Sequence, residues 1–119
     1  MKEIRGLCTL LLAACTFWAA APASSATTLA AKNGRTVYVF DRDIGGVPSC
    51  YDACARQWPP YIASDGEKGM GEGWATVKRK DGSLQWTYHN KPLYFYADDK
   101  KAGDAKGNGV GRIWHSVKQ

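Results

Sequence analysis

Two cysteines in the middle of the chain have the clearest potential for chemistry. Cys50 and Cys54 are one helical turn apart in the sequence, and such positions lie about 6 Å apart in a helix. A disulfide tolerates this Cα separation if the turn is slightly distorted. We therefore predict a Cys50–Cys54 disulfide, whose short closed loop gives only a small entropic stabilisation.

A soft-metal site is the alternative use of these cysteines. As thiolates, Cys50 and Cys54 could bind Cu(I) or zinc together with His89, His115 or Met70. The spacing differs from the C-x2-C pattern that is usual in zinc sites and in redox-active dithiols. The residue after the second cysteine is alanine, not the histidine of a covalent haem site. The sequence therefore predicts no cofactor and keeps metal handling as an alternative.

Two aspartates end similar segments, one in each half of the chain. The segments read Tyr-x-aromatic-x-x-Asp, and their residues are Tyr38, Phe40 and Asp43 in the first and Tyr94, Tyr96 and Asp99 in the second. In a strand the two aromatic side chains share one face, and the aspartate just past the strand can accept hydrogen bonds from loop N–H groups. We predict an architectural repeat. If Asp43 and Asp99 converge, the alternative is a sugar-binding or hydrolytic site.

Other catalytic and ion-binding patterns are missing from the sequence. The chain has no G-x-S-x-G nucleophile motif. The loop that contains Asp98, Asp99, Asp104 and Asn108 fails the EF-hand pattern, and its lysines would oppose a bound cation. We therefore predict that the protein is not an enzyme.

The N-terminal segment 1–26 has the features of a secretory signal peptide. A short basic start precedes an apolar run at 7–21, and small residues suited to cleavage follow, near Ala23 or Ala26. The segment 12–15, Leu-Ala-Ala-Cys, also resembles a lipobox, which makes Cys15 a possible lipidation site. We expect a periplasmic or secreted protein, with a lipid-anchored envelope protein as the alternative.

The charge pattern gives no indication of a nucleic-acid partner. Beyond Ala26 the chain keeps all of its basic residues except Lys2 and Arg5 and all of its acidic residues except Glu3, mostly interspersed. The basic triplet at 78–80 is predicted to be a solvated strand end that protects an edge from pairing. No helix-turn-helix, zinc-finger or RNA-binding signature accompanies it.

The hydrophobic pattern predicts a small, mainly β domain over 35–119, after a flexible tail at 27–34. Strands are expected at 35–43, in a three-strand meander over 74–99 and at 112–117. Asp81-Gly82 predicts a type I′ hairpin turn, and Asn90-Lys91 predicts a second tight connection. A short helix at 50–57 is expected to begin at a Ser49 cap and to end before Pro59. The fold class is thus an antiparallel sheet built from two related halves, with one short helix.

Several motifs together resemble a known family. They are the doubled Y-x-[FWY]-x-x-D motif, the C-x3-C before W-P-P, the Q-W-T-Y-x-x-K-P-L-Y-x-[FWY] segment and the final G-x-x-W-H. The combination is similar to a family of bacterial secreted or lipoprotein repeats, named for its Y-x4-D motif and without a settled function. The resemblance covers about 34–117. It implies an exported β-rich domain, supplies no catalytic residues and favours lipidation at Cys15.

These observations favour an exported, envelope-associated binding or interaction module. Its partner would be a protein or glycan of the cell envelope, and it would contact a membrane only through a lipid anchor. The aromatic residues of the motifs, with Trp86 and Trp114, are expected to form the core or an aromatic surface.

Overall fold

The computed structural model describes residues 27–67 and 69–119. The predicted signal peptide and the possible lipidation site Cys15 lie outside these residues. The elements follow in the order β1 (Tyr38–Phe40), a 3₁₀ turn (Ile44–Gly46), α1 (Ala53–Gln57), β2 (Trp74–Lys78), β3 (Leu84–Tyr88), β4 (Lys91–Pro92), a second 3₁₀ turn (Val110–Arg112) and β5 (Trp114–Ser116). In the described part of the chain, all strand pairs are antiparallel: β1 pairs with β5, and β2, β3 and β4 form a second sheet. This confirms the predicted fold class.

The β2–β3 hairpin forms where the sequence predicts it, with a different turn. Thr76 of β2 lies opposite Trp86 of β3, and the N–H and hydroxyl of Ser83 donate to the Asp81 carboxylate. A type I′ turn needs positive φ at both central residues, whereas only Gly82 of the Asp81-Gly82 pair has it here. The connection is therefore a longer turn that ends at Gly82, not the predicted type I′ turn.

The connection between β3 and β4 contains the type I′ geometry instead. His89 and Asn90 both have positive φ, at 48° and 67°, and the flanking residues Tyr88 and Lys91 pair directly. Asparagine tolerates this left-handed region better than most residues. The predicted tight connection is thus present, shifted by one position toward the N-terminus.

Several predicted elements are shorter in the structure. The first strand covers only β1, and the last begins at Trp114 because Arg112 has a φ of 63°. Helix α1 begins at Ala53, since Asp52 has φ 57° and ψ −124°, outside the helical region. Ser49 does not cap this helix; it binds Asp43 instead.

The segment predicted as a tail, residues 27–34, packs against the domain. Leu29 is 1 % exposed and belongs to the core, and its N–H donates to the Val117 carbonyl at 2.8 Å. Thr28 and Ala30 form β-bridges with Lys118 and Thr36. Leu29 is the one large apolar side chain among small and polar residues in this stretch, a weak signal, which is why the sequence did not reveal this packing.

The core of the described residues consists of two clusters of buried side chains. The first lies under the β2–β3–β4 sheet and contains Leu29, Ala31, Val37, Tyr61, Ala63, Trp86 and Leu93. The second, which we call the paired aromatic centre, contains Tyr38, Cys50, Trp58, Tyr94 and Trp114, with Phe40, Cys54, Tyr96 and Ile113 packed against it. Both tyrosine motifs and the two cysteines meet in the second cluster.

Candidate functional site

The two Tyr-x-aromatic-x-x-Asp motifs bind each other. The Tyr38 hydroxyl donates to Asp99 Oδ2 at 2.6 Å, and the Tyr94 hydroxyl donates to Asp43 Oδ2 at 2.9 Å. The backbones of the two tyrosines also exchange hydrogen bonds of 2.8 and 2.9 Å. Each motif therefore supplies the tyrosine for the aspartate of the other, so the two halves are joined by a reciprocal pair of contacts, here called the Tyr–Asp clasps.

Each clasp aspartate also closes its own loop. The N–H of Ser49 donates to Asp43 Oδ1 at 2.8 Å, and the N–H of Lys106 donates to Asp99 Oδ1 at 2.9 Å. Each of the two carboxylates therefore accepts a loop N–H through Oδ1 and the phenol of the other half through Oδ2. This is the loop role that the sequence predicted for both aspartates, with the phenol contact added.

Burial changes the protonation of these groups. It raises the pKa of the Asp43 carboxyl, although hydrogen bonds from Ser49 and Tyr94 oppose the shift. It also raises the pKa of the Tyr38 and Tyr94 phenols, and the neighbouring carboxylates add to that effect. Both phenols are therefore neutral donors at physiological pH.

Asp43 and Asp99 act in two separate clasps and do not share a partner. The two carboxylates accept from different tyrosines, and Asp99 is only 3 % exposed. Paired-carboxylate hydrolysis needs two acids on either side of one reacting bond. Neither aspartate lines the cavity described below, so the geometry favours their architectural role.

Four rings stack in a column through the paired aromatic centre. Trp58 and Trp114 are parallel, with an interplanar angle of 1° and centroids 3.8 Å apart. Phe40 stacks on Trp114 at 4.0 Å, and the Tyr96 ring lies 4.3 Å from Trp58, tilted by 33°.

The column contains two rings from each half of the chain. Trp58 and Trp114 have the same separation in the sequence as the two motif tyrosines, Tyr38 and Tyr94. The tryptophans are therefore equivalent positions of the repeat. This shared spacing is the signal that would have placed Trp58 and Trp114 in the repeat from the sequence.

A disulfide holds a strained turn beside this column. Cys50 and Cys54 are bonded, with their Cα atoms 5.3 Å apart, which agrees with the predicted disulfide. The Cys54 N–H donates to the Tyr51 carbonyl at 3.0 Å, and Asp52 between them has φ 57° and ψ −124°. These angles are those of the first central position of a type II′ turn, which glycine normally occupies. The disulfide therefore closes a turn around a residue that is strained there.

The turn forms one wall of a groove of about 610 Å³, a volume within the range of small-ligand sites. The groove lies between α1, the extended segment after it and the β2–β3 turn. It is lined by Tyr51, Asp52, Ala55, Pro60, Ile62, Arg79, Lys80, Asp81 and Ser83. Ile62 is 42 % exposed, so the groove offers an apolar wall beside charged groups.

Arg79 fixes the inner end of the groove. Its guanidinium donates to the Gln85 side chain at 2.7 Å and to the Cys50 carbonyl at 2.8 Å, and it lies 4.1 Å from the Tyr51 ring centroid. The Lys80 ammonium approaches the same ring at 4.7 Å. Arg79 is buried, which corrects the prediction of a solvated basic triplet: strand pairing turns this side chain onto Gln85.

The histidines of the alternative metal site lie in other environments. His115 contacts the Asp41 carboxylate at 2.8 Å, and the His89 ring packs over Gly73 and Tyr88. The disulfide leaves neither Cys50 nor Cys54 as a thiolate. Within 27–67 and 69–119, no group of three or more His, Cys, Asp or Glu side chains is placed to hold a metal ion.

Two stretches of the chain, residues 23–61 and 75–118, match the model of the family Lipoprotein_15, described as a secreted repeat of unknown function. The chain belongs to this secreted-repeat family. No curated protein and no solved structure matches it. Each matched stretch contains one clasp tyrosine, one clasp aspartate and one column tryptophan, so the two family repeats correspond to the two halves that the Tyr–Asp clasps join.

The secreted-repeat description agrees with the exported protein that the sequence predicted. In the part of the chain that the structure describes, no helix has both the length and the apolar character needed to cross a membrane. Sequence reasoning identified the clasp residues and the disulfide. It missed Tyr51, Arg79 and Ile62 of the groove, because no local motif connects these three positions.

Proposed function

We propose that this secreted-repeat protein is a non-enzymatic binding module whose ligand occupies the groove beside the Cys50–Cys54 turn. The observation that carries the proposal is Asp52, a non-glycine residue in a backbone conformation typical of glycine, within the wall of a ligand-sized groove. Strained residues cluster at binding sites, where the surrounding structure holds them in place. Here the disulfide and the Arg79–Cys50 contact provide that support.

The groove suits an envelope protein segment or a glycan more than an apolar small molecule. Asp52 and Lys80 are exposed at its rim, and the Asp81 carboxylate has one oxygen that is not used by Ser83. Pro60 and Ile62 add an apolar wall. Mixed polar and apolar contacts of this kind fix the orientation of a ligand and exclude poorly matched ones.

The test is an NMR titration of the mature protein with two defined probe sets, peptidoglycan fragments and a library of short peptides. Binding is expected to shift the amide signals of 51–55 and 80–83, and Asp52→Gly should weaken it. Asp65→Gly, at an exposed loop position outside the groove, is the matched control. Probe recovered unchanged by mass spectrometry supports a non-enzymatic role. Shifts confined to other surfaces, or full affinity in Asp52→Gly, contradict the proposed site.

We further propose that the mature protein is periplasmic or secreted and carries no lipid, with a lipid-anchored envelope protein as the alternative. The family description as a secreted repeat supports export. The intact mass of the protein from its native envelope distinguishes the two forms. A chain that begins near Thr27 supports the soluble form, whereas a lipid-modified chain that begins at Cys15 supports the anchored alternative.

A further inference from the structure

The paired aromatic centre brings two tryptophans and two tyrosines into direct ring contact. Two indoles lie parallel at 3.8 Å in its middle, and each also touches the edge of a clasp tyrosine. Tyr38 meets Trp58 edge-on at 5.4 Å, and Tyr94 meets Trp114 edge-on at 5.2 Å. Tryptophan and tyrosine are the protein side chains that lose a single electron most readily, and ring contacts at these distances allow that electron to move between them.

Each clasp tyrosine also has a proton acceptor. Loss of an electron makes a phenol strongly acidic, so a tyrosine is oxidised easily only where a base can take its proton. The Tyr38 hydroxyl donates to Asp99 at 2.6 Å, in the range of short, charge-assisted O–H···O⁻ bonds. The Tyr94 hydroxyl donates to Asp43 at 2.9 Å. The contacts that join the halves are therefore also paths for proton transfer.

The two ends of the ring column differ in their chemistry. Repeat equivalence pairs Phe40 with Tyr96, and both are half-buried. A phenylalanine ring resists one-electron oxidation, whereas the phenol of Tyr96 does not. An oxidising equivalent can therefore enter or leave the column at Tyr96, whose ring centroid lies 4.3 Å from that of Trp58.

We propose that the paired aromatic centre is a one-electron redox site that reduces small radical oxidants of the carbonate-radical class. The oxidant gains one electron from the buried Trp58–Trp114 pair through the half-buried ring of Tyr96 and becomes its reduced anion. The oxidised indole recovers an electron from Tyr38 or Tyr94, and the phenol proton moves to Asp99 or Asp43. The products are the reduced oxidant, a neutral tyrosyl radical and a protonated carboxyl group, so electrons, protons and charge balance.

The site would protect a protein that is exported into an oxidising environment. The disulfide packs in the same cluster as Trp58 and the clasp tyrosines, so an electron supplied from these rings reduces the oxidant before it can react with that bond. This proposal is independent of the groove, because none of the column or clasp residues lines the groove.

The test oxidises the mature protein with photogenerated ruthenium(III) tris(bipyridine) and follows the radical by transient absorption and electron paramagnetic resonance. The wild type is expected to give a neutral tyrosyl radical, which forms more slowly in D₂O. In a Tyr96→Phe background, which removes the oxidisable phenol at the end of the column, the double variant Tyr38→Phe/Tyr94→Phe is expected to lose that signal and to retain an indole radical. Tyr88→Phe is the control, because Tyr88 is half-buried and packs against Trp74 outside the column.

The proposal is overturned if the double variant keeps the tyrosyl signal, if the wild type gives only an indole radical, or if Tyr88→Phe loses the signal. Should the double variant fail to fold, Asp43→Asn/Asp99→Asn keeps both phenols and removes the basic proton acceptors. That variant is expected to lose fast tyrosyl formation, and formation at the wild-type rate would overturn the proposal equally well.

Discussion

The paired aromatic centre and the groove are built differently from the same two repeats. In the centre, each half supplies a tyrosine to the other half's aspartate, and the two repeat-related tryptophans stack on each other. The groove has no such duplicate. The positions of the second repeat that are equivalent to Cys50, Asp52 and Cys54 hold Lys106, Asn108 and Val110. What both repeats share holds the halves together, whereas the disulfide turn, which the second repeat lacks, forms a wall of the groove.

The largest expected effect is in the duplicated tryptophans. Trp58→Ala and Trp114→Ala should each lower the free energy of unfolding by about 3–5 kcal/mol, because each removes a large buried ring from the stack. The two losses should be similar, since the residues are equivalent in the repeat and about equally buried. Denaturant unfolding measures both, with Ile44→Ala at an exposed position as the control. A much smaller loss for one tryptophan would break the equivalence of the halves.

The Tyr–Asp clasps should be unequal in strength. Tyr38→Phe leaves the buried Asp99 carboxylate with the Lys106 N–H as its remaining partner among the described hydrogen bonds, and should cost about 1–3 kcal/mol. Tyr94→Phe should cost less, because Asp43 keeps two hydrogen bonds from Ser49. Double-mutant cycles with Asp99→Asn and Asp43→Asn isolate the two coupling energies. Equal coupling energies would show that the extra Ser49 contact is without effect.

The sequence revealed the duplicated parts of this molecule more fully than the unique ones. The Tyr-x-aromatic-x-x-Asp repeat is visible as spacing, and the β2–β3 hairpin follows from alternation around Asp81-Gly82. The groove is assembled by tertiary contacts of Arg79 with Cys50 and Tyr51, which are distant from it in the chain. The sequence does not show that Asp52 lies in a type II′ turn. The residue types around it favour a helix, whereas the disulfide and the Arg79–Cys50 hydrogen bond determine the backbone conformation there.

The disulfide should contribute less than the duplicated stack. Replacing both cysteines by alanine is expected to cost about 2 kcal/mol, since the closed loop is short and constrains the unfolded chain only a little. The loss should be concentrated in the turn, so amide exchange should rise at 51–53 and stay unchanged at Tyr38 and Tyr94. Faster exchange at both tyrosines would mean that the disulfide also holds the halves together.

Asp52→Gly should act in the opposite direction and stabilise the fold by about 1 kcal/mol. Relief of the strained conformation is worth about 1–3 kcal/mol, and the greater freedom of glycine in the unfolded chain offsets about 0.5–1 kcal/mol of it. Thermal unfolding of the variant and the wild type measures the difference. Asp52→Asn is the matched control, because it removes the charge but keeps a Cβ atom; a stabilisation of the same size there would assign the effect to charge instead of backbone strain.

The smallest effect distinguishes two aspartates by the sign of their pH dependence. Burial raises the pKa of Asp43, so the folded protein holds this proton more tightly than the unfolded chain. The contribution of Asp43 to stability therefore rises as the pH falls into the window just above the usual Asp pKa of about 4. The Lys101 side chain instead lowers the pKa of Asp104 to about 2. The contribution of Asp104 is complete above about pH 4 and is lost as the pH falls toward 2.

Carboxyl ¹³C titration by NMR measures both groups in one sample. Asp43 is expected to titrate above its usual value, and Asp104 well below it. Asp43→Asn should remove the stabilisation that develops on mild acidification, while Lys101→Met should shift Asp104 upward and leave Asp43 unchanged. If Asp43 titrated below Asp104, the hydrogen bonds to the Asp43 carboxylate would stabilise its charge more than burial destabilises it. The clasp would then gain strength with rising pH, because the hydrogen bonds from Tyr94 and Ser49 would outweigh the cost of burying the charge.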